Sequence, residues 1–279
     1  MLFGGLGIGL RRGLAQLPDA ELGALHTQLT GFVVAVLAVL AAGQIGDIAW
    51  GDIWPLIALG AVVPGVTQLM WTYAVRDIGV SRAMVIVGAI PLASSVGAMI
   101  FLDEPFRTAI ILGMLLIVGG AMLLAYERKR PANYRAVGAL WAASTVLLFG
   151  VRDNVARWIA LDTDLSGLGA AAGLITGAAA AMLMFVLMTR RGKKPLRQIR
   201  RSAGPFLVGG AFFGGAYLAL MEAIDRGEVT VVIPLVGTFV IWTVVLAVIF
   251  LRELEAVSVR LAFASVLVVA GAAVVGATA

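Results

Sequence analysis

Apolar runs of bilayer-crossing length alternate along this chain with short polar breaks. A helix needs about 20 residues to cross the hydrocarbon layer, and runs of that order occupy 24–43, 54–75, 80–102, 108–126, 134–156, 167–189, 205–224, 229–250 and 256–276. Each is predicted to be a transmembrane helix. The breaks hold residues that end helices. Gly51-Asp52 and Trp54-Pro55 mark one boundary, where proline is tolerated because a first-turn amide has no helical partner to lose. Arg76-Asp77-Ile78-Gly79 and Asp225-Arg226-Gly227-Glu228 form tight turns, as do Glu104-Pro105 and the stretch from Glu253 to Glu255. The longer polar connections at 127–135 and 190–201 are too short to hold a soluble domain.

A further, N-terminal helix is predicted near 2–17, too short to cross alone. Leu2-Phe3-Gly4 matches Leu148-Phe149-Gly150 well inside the sixth segment, so internal symmetry expects the first helix to begin about a dozen residues ahead of Met1. A short, tilted or re-entrant first element is the alternative.

The polar breaks also reveal a repeat. Glu104 in FLDE and Glu253 in FLRE each close a long apolar run and lie 149 positions apart. The same offset superimposes Gly60 on Gly209, Leu69 on Leu218, Ala74 on Ala223, Val87-Gly88 on Val236-Gly237 and Phe101-Leu102 on Phe250-Leu251. A fixed-offset match without gaps is the mark of duplicated architecture. Two halves are expected, at 1–127 and 134–276. Each half has an odd number of crossings, so the second enters the bilayer upside down relative to the first. The expected fold is an all-α polytopic membrane protein of two inverted five-helix repeats, ten transmembrane helices with the first shortened.

Composition supports lipid as the solvent. The chain is 61% hydrophobic and 13% charged, with a mean hydropathy of +1.01, against about 25% charge in soluble domains. The absence of cysteine removes disulfides, thiolate metal sites and cysteine nucleophiles, and one histidine, His26, excludes a histidine-built metal site. No metal and no cofactor is expected. GxxxxGK[ST] does not occur, so nothing supports ATP hydrolysis by the chain. The start is not a cleavable signal, because Arg11-Arg12 follow the apolar stretch with no small-residue cleavage pattern.

The net charge of +5 sits in short loops rather than in a nucleic-acid face, so no nucleic-acid partner is expected. Odd-numbered loops hold Arg11, Arg12, Arg76, Arg82, Arg128, Lys129, Arg130, Arg135, the cations of 190–201, and Arg252. Even-numbered loops hold only Arg107, Arg152, Arg157 and Arg226. The positive-inside rule then places odd loops in the cytoplasm and both termini outside.

Two pairs of matched segments carry a family resemblance: FLDEPFRTAIILGMLLIVGGAMLLAY with FLRELEAVSVRLAFASVLVVAGAAVV, and VRDIGVSRAMVIVGAIPLASSV with IDRGEVTVVIPLVGTFVIWTVV. In these the chain resembles the EamA-type permeases of the drug/metabolite transporter superfamily, over nearly its whole length. The resemblance implies ten helices around a central cavity and alternating access. It also implies carriage of small organic solutes such as amino acids, nucleobase-like metabolites or drugs, across the cell inner or plasma membrane. Members of that family are commonly drawn with both termini in the cytoplasm, opposite to the cation pattern. The two halves also differ from each other: Pro91 aligns with Val240, while Pro234 falls earlier.

Several side chains are candidates for the solute pathway. Gln68, Trp71 and Tyr73 cluster late in the third segment, and Tyr217 and Glu222 match Gln68 and Tyr73 in the eighth. Polar groups withdrawn from water need partners, and a solute can supply them; for the aromatics, interfacial anchoring is the alternative. Glu222 stands four residues before Arg226, which leaves a helical ion pair and a substrate or proton role both open. Arg82 either neutralises an anionic solute or snorkels to headgroups. Trp141 and Ser144 are candidate lining residues on the sixth segment, which carries Asn154 at its far end, and His26 and Gln28 are read as interface residues.

Glu104 and Glu253 are read as structural turns, either capping the succeeding helix or pairing with Arg107 and Arg252. Inversion puts them on opposite faces, roughly 30 Å of hydrocarbon apart. Pro64, Pro91 and Pro234 are expected to bend helices, and Gly88 and Gly237 to let the fourth and ninth helices pack closely.

The expected function is secondary transport, in the direction of export, of a small organic solute such as an amino acid or related metabolite. Protons are a candidate coupling ion, membrane lipid surrounds the chain, and a homo-oligomer is compatible with it. An intramembrane transferase is the competing class, with Asp162 and Asp164 the only close acidic pair for it. A channel or scaffold is the third.

Overall fold

The computed structural model describes residues 1–43, 51–78, 83, 86–105, 107–125, 135–163, 165–190 and 203–250, and in the last segment 263, 266–267, 269–271 and 273–274. Arg82, Asp164, Arg252, Glu253 and most of the segment 256–276 lie outside the described residues. No β-strand occurs among the described residues.

Helix α1 spans Leu2–Gln16. Helix α2 spans Ala20–Ala41, opened by Asp19, whose carboxylate accepts the Leu22 amide at 3.1 Å. That cap starts the helix earlier than the expected position 24. His26 and Gln28 are therefore inside α2 and buried, 3% and 0% exposed, rather than at an interface. His26 stacks on Phe206, ring centroids 6.2 Å apart.

Helix α3 spans Trp54–Ile78, with Pro55 in its first turn. A π-helical turn, Ala61–Val66, interrupts it, and Val63 leaves helical geometry just before Pro64. Gln28 repairs part of the damage by donating from Nε2 to the Pro64 carbonyl at 3.0 Å. In a membrane interior such side-chain repair makes a proline break tolerable.

The fourth segment is helical at 86–87, turns at Gly88-Ala89, and resumes as α4, Ile90–Phe101. Pro91 therefore opens a helix instead of bending one, at the first-turn site where its missing N–H is harmless. Helix α5 spans Thr108–Ala125. Helix α6 spans Val137–Asp162 and does not stop at 156. Arg152 and Arg157, counted in the sequence as loop cations, both lie on it. The helix continues because each charge finds a partner: Arg152 pairs with Asp153, and Arg157 donates to the Ile224 and Asp225 carbonyls at 2.9 Å.

Helix α7 spans Gly167–Thr189, capped by Ser166. At its far end Arg190 binds Asp19 and Glu21 and so ties α7 to the start of α2. A short 3-10 turn, Gly204–Phe206, leads into α8, Leu207–Arg226. Helix α9 runs Val229–Gly237, breaks at Thr238 and resumes as Phe239–Phe250. That break falls at the repeat equivalent of Gly88-Ala89, so both copies of this segment are discontinuous at one matched point.

Packing obeys the same symmetry. Helix α1 lies against α8 and the second half of α9, while its counterpart α6 lies against α3 and α4. Likewise α2 packs on α8 as α7 packs on α3, and the self-related pairs α2–α7 and α4–α9 lie on the pseudo-twofold axis. The axis contacts are close because they are built on glycine. A Cβ on Gly237 would come within 2.8 Å of the Pro91 ring. Off the axis, a Cβ on Gly60 or Gly177 would run into the carbonyl of Leu174 or Ile57, so α3 and α7 touch backbone to backbone.

Both halves therefore contribute to the same buried clusters. Leu10, Trp71, Val87, Val146 and Phe206 form one buried cluster, and Leu56, Ile159, Leu174, Leu220 and Ile233 another. Outward faces keep large apolar groups, among them Leu37, Leu140, Leu147, Trp158 and Met184. Such a surface suits lipid and not water. Among the described residues, four helices, Ala20–Ala41, Trp54–Ile78, Gly167–Thr189 and Leu207–Arg226, are long and apolar enough to cross a membrane.

Candidate functional site

A cavity of about 90 Å³ opens where the fourth segment and α9 are interrupted, between Val87, Ile90 and Pro91 on one side and Val236, Gly237 and Phe239 on the other. A single water needs about 10–15 Å³ on this scale, so there is room for several waters or a small organic group. Helices α1, α3, α6 and α8 complete the wall, which both repeats therefore build. Phe3, Leu6, Phe149, Phe213 and Leu220 make it largely apolar; its polar groups gather in Gln68, Arg152, Asp153 and Tyr217.

The buried centre is a charge pair. Arg152 is 4% exposed and Asp153 fully buried. Neighbours on a helix point about 100° apart, and the long arginine turns back along α6 to meet the carboxylate. Its Nε donates to Asp153 Oδ1 at 2.9 Å, and its Nη2 closes the ion pair on the same oxygen. Nη1 donates to the Tyr217 hydroxyl at 2.7 Å. Ser94 on α4 holds the other carboxylate oxygen at 2.6 Å. Asn154 fixes the register between α4 and α6 by donating to the Ser94 and Gly150 carbonyls at 3.0 and 2.8 Å. The guanidinium also lies over the rings of Phe149 and Tyr217, at 4.7 and 5.1 Å.

A buried pair of this kind adds little net stability, because desolvation consumes most of the attraction. An ionisable pair inside a membrane helix is by default a functional feature. Beside it Gln68 is 3% exposed, and its Nε2 has no hydrogen-bond partner among the described residues.

The candidates from the sequence divide by helical position. Gln68 and Tyr217, repeat partners of each other, both line the cavity, and so does Trp71. Tyr73 and Glu222, the next partner pair, do not. Five residues further along a helix is about 7.5 Å nearer its end. Tyr73 lies there under the Arg76 guanidinium, its hydroxyl 3.4 Å from Glu21, its ring 5.9 Å from that of Trp141. Trp141 is thus a packing partner of Tyr73, away from the cavity. Glu222 forms an ion pair with Arg226 on the exposed end of α8. Asp162 stands exposed at the end of α6, remote from these groups.

Glu104 does something the sequence did not suggest. It accepts the Val229 and Thr230 amides, both at 2.9 Å, and so caps α9 of the opposite repeat rather than the helix that follows it. Arg107 lies 3.9 Å from Glu228, not on Glu104.

Sequence reading missed Arg152, Asp153 and Ser94. The signal was present: Arg152-Asp153-Asn154 is followed by Val155, Ala156, Trp158, Ile159 and Leu161, an apolar continuation that places the charges inside a helix rather than at its end.

Residues 1–126 and 136–277 match the profile of the EamA-like transporter family. A solved structure described as "Crystal structure of protein" aligns over 100% of this chain and 93% of its own, with a TM-score of 0.71 and 21% identity. That likeness concerns the fold alone. No curated protein matches the chain.

Proposed function

We propose, from the premise that the chain belongs to the EamA-like transporter family and so is a multi-pass membrane transporter of the drug/metabolite superfamily, that it moves a small organic solute through the central cavity by alternating access. The observation that carries this reading is the cavity's place. It lies at the junction of the two repeats, where the fourth segment and α9 break at matched positions. Discontinuous helices at a repeat interface are where transporters of this architecture bind their cargo.

Half-helices hinged at Gly88-Ala89 and at Thr238 rock about the Pro91–Gly237 contact, and the cavity then faces one side of the membrane at a time. The largely apolar wall favours an organic body over a hydrated ion. An amino acid or related metabolite is the cargo class, and the cell inner or plasma membrane the location. Export is the direction proposed. The two repeats are taken as 1–127 and 134–276.

Counterflow in proteoliposomes tests the reading. Saturable exchange of a labelled solute that falls steeply in Trp71→Ala and Gln68→Ala is the expected result. Exchange unchanged by both substitutions, or a sustained ion current without saturation, overturns it.

A further inference from the structure

Several hydrogen-bond donors are left over beside the cavity's cation. A guanidinium has five N–H groups; those of Arg152 reach Asp153 through Nε and Nη2 and Tyr217 through Nη1. The remaining two have no acceptor among the described residues. Gln68 Nε2 is likewise unpartnered, and the Tyr217 hydroxyl, which accepts from Arg152, still has its own proton to give. The one acidic group in the cavity wall is already engaged, because Arg152 holds one oxygen of Asp153 and Ser94 the other. Unsatisfied donors beside a cation are complementary to an anionic acceptor, and a carboxylate is the planar group that a guanidinium binds best.

Charge balance narrows the ligand further. The resting pair is neutral, arginine keeps its proton at any ordinary pH, and aspartate does not. An added monoanion is balanced when Asp153 takes up a proton. An added cation has nothing to balance it, since Arg152 cannot lose its charge, and an uncompensated charge in this setting is strongly unfavourable. A zwitterion would place its ammonium group against Asp153, whose Oδ2 takes one hydrogen bond from Ser94; it is the competing ligand that the titration below separates from a simple acid.

Among the described residues no other ionisable group competes for these roles at the pair. From the elements packed on α6, Ser94 and Tyr217 face it. Asp77 lies at one end of α6, against Gly138. At the other end Asp225 contacts Arg157 and Gly167, while Glu222 pairs with Arg226 and Glu228 with Arg107.

We propose that the solute is a monoanionic organic acid with an apolar body, its carboxylate held by Arg152, Gln68 and Tyr217, and that Asp153 takes one proton from water as Arg152 turns to the solute. On release the proton leaves Asp153 and the Arg152–Asp153 pair re-forms. One anion and one proton then cross together with no net charge moved. This assignment rests on the reading of the cavity as the transport site and, within the class of amino acids and related metabolites, commits to related acids that carry no ammonium group.

Calorimetric titration of the purified full-length protein with four probes of one shape tests it: 3-phenylpropanoate, its amide, phenylalanine and phenethylamine. The acid is expected to bind at least about tenfold more tightly than each of the others, the contribution of a charge-assisted bidentate contact. Its Kd is expected to rise with pH, by up to about tenfold per pH unit, with about one proton taken up per acid bound, as linkage requires. Asp153→Asn is expected to keep acid binding and abolish both the pH slope and the proton uptake. The double variant Arg152→Gln with Asp153→Asn stays neutral and is expected to lose the preference for the acid over its amide.

Equal or weaker binding of the acid than of any other probe overturns the assignment, as does a pH slope that survives Asp153→Asn. Acid binding with proton uptake but without acid counterflow refutes the transport reading and leaves the site assignment standing. Counterflow of phenylalanine in preference to the acid does the reverse.

Discussion

Replacing Glu104 by alanine removes the cap from a helix in the opposite repeat. The carboxylate accepts two amide protons, from Val229 and Thr230, at 2.9 Å each. Those amides belong to the first turn of α9, where no intrahelical acceptor exists. Loss of a capping side chain destabilises by about 0.5–2 kcal/mol, and loss of a negative charge at a helix N-terminus by about 0.3–1 kcal/mol more. The sum, about 1–3 kcal/mol, corresponds to a fall in unfolding midpoint of roughly 2–10 °C for a chain of this size. Thermal unfolding of the detergent-solubilised protein, followed by tryptophan emission, measures it. Glu104→Gln keeps one acceptor oxygen and loses the charge, so its midpoint is expected between wild type and alanine. An alanine variant that melts with wild type refutes the capping argument, and a glutamine variant that does so removes the charge from it.

Three further perturbations probe the packing and the site. Gly177→Val places a branched side chain against the Ile57 carbonyl of α3 and is expected to destabilise by about 1–3 kcal/mol or prevent folding; a midpoint equal to wild type contradicts the backbone contact. Arg152→Ala leaves the buried Asp153 unpaired and is expected to cost about 3–5 kcal/mol, most of it recovered when Asp153→Asn is added, because the unpaired charge and not the lost contact carries the penalty. Additive losses in the double variant refute this. Glu222→Gln breaks only the exposed pair with Arg226 and is expected to change stability by about 1 kcal/mol or less, with any proton dependence of uptake retained in proteoliposomes. Its disappearance moves proton coupling from Asp153 to Glu222.

What the sequence by itself determined is the part of the molecule that depends on local backbone chemistry and on the solvent. In hydrocarbon every amide needs an internal partner, so apolar runs of crossing length must be helices. The 149-residue offset makes them two copies with an odd number of crossings each. The same offset paired Gln68 with Tyr217, and both line the cavity, because matched positions on matched helices approach the pseudo-twofold axis alike.

Tertiary structure decided which polar residues face inward together. Arg152 and Asp153 read as the edge of a segment until α6 is seen to run on past them, since a charge ends a membrane helix only when it lacks a partner, and the partners Tyr217 and Ser94 come from other helices. Tyr73, Trp141 and Glu222 carry the residue types of a solute pathway and stand outside it, a turn or more too far along their helices. Glu104 marks a turn in any local reading, yet its carboxylate serves a helix 125 residues away. Helix formation is settled within a few residues of chain, whereas the encounter of side chains distant in sequence is settled by how the helices pack.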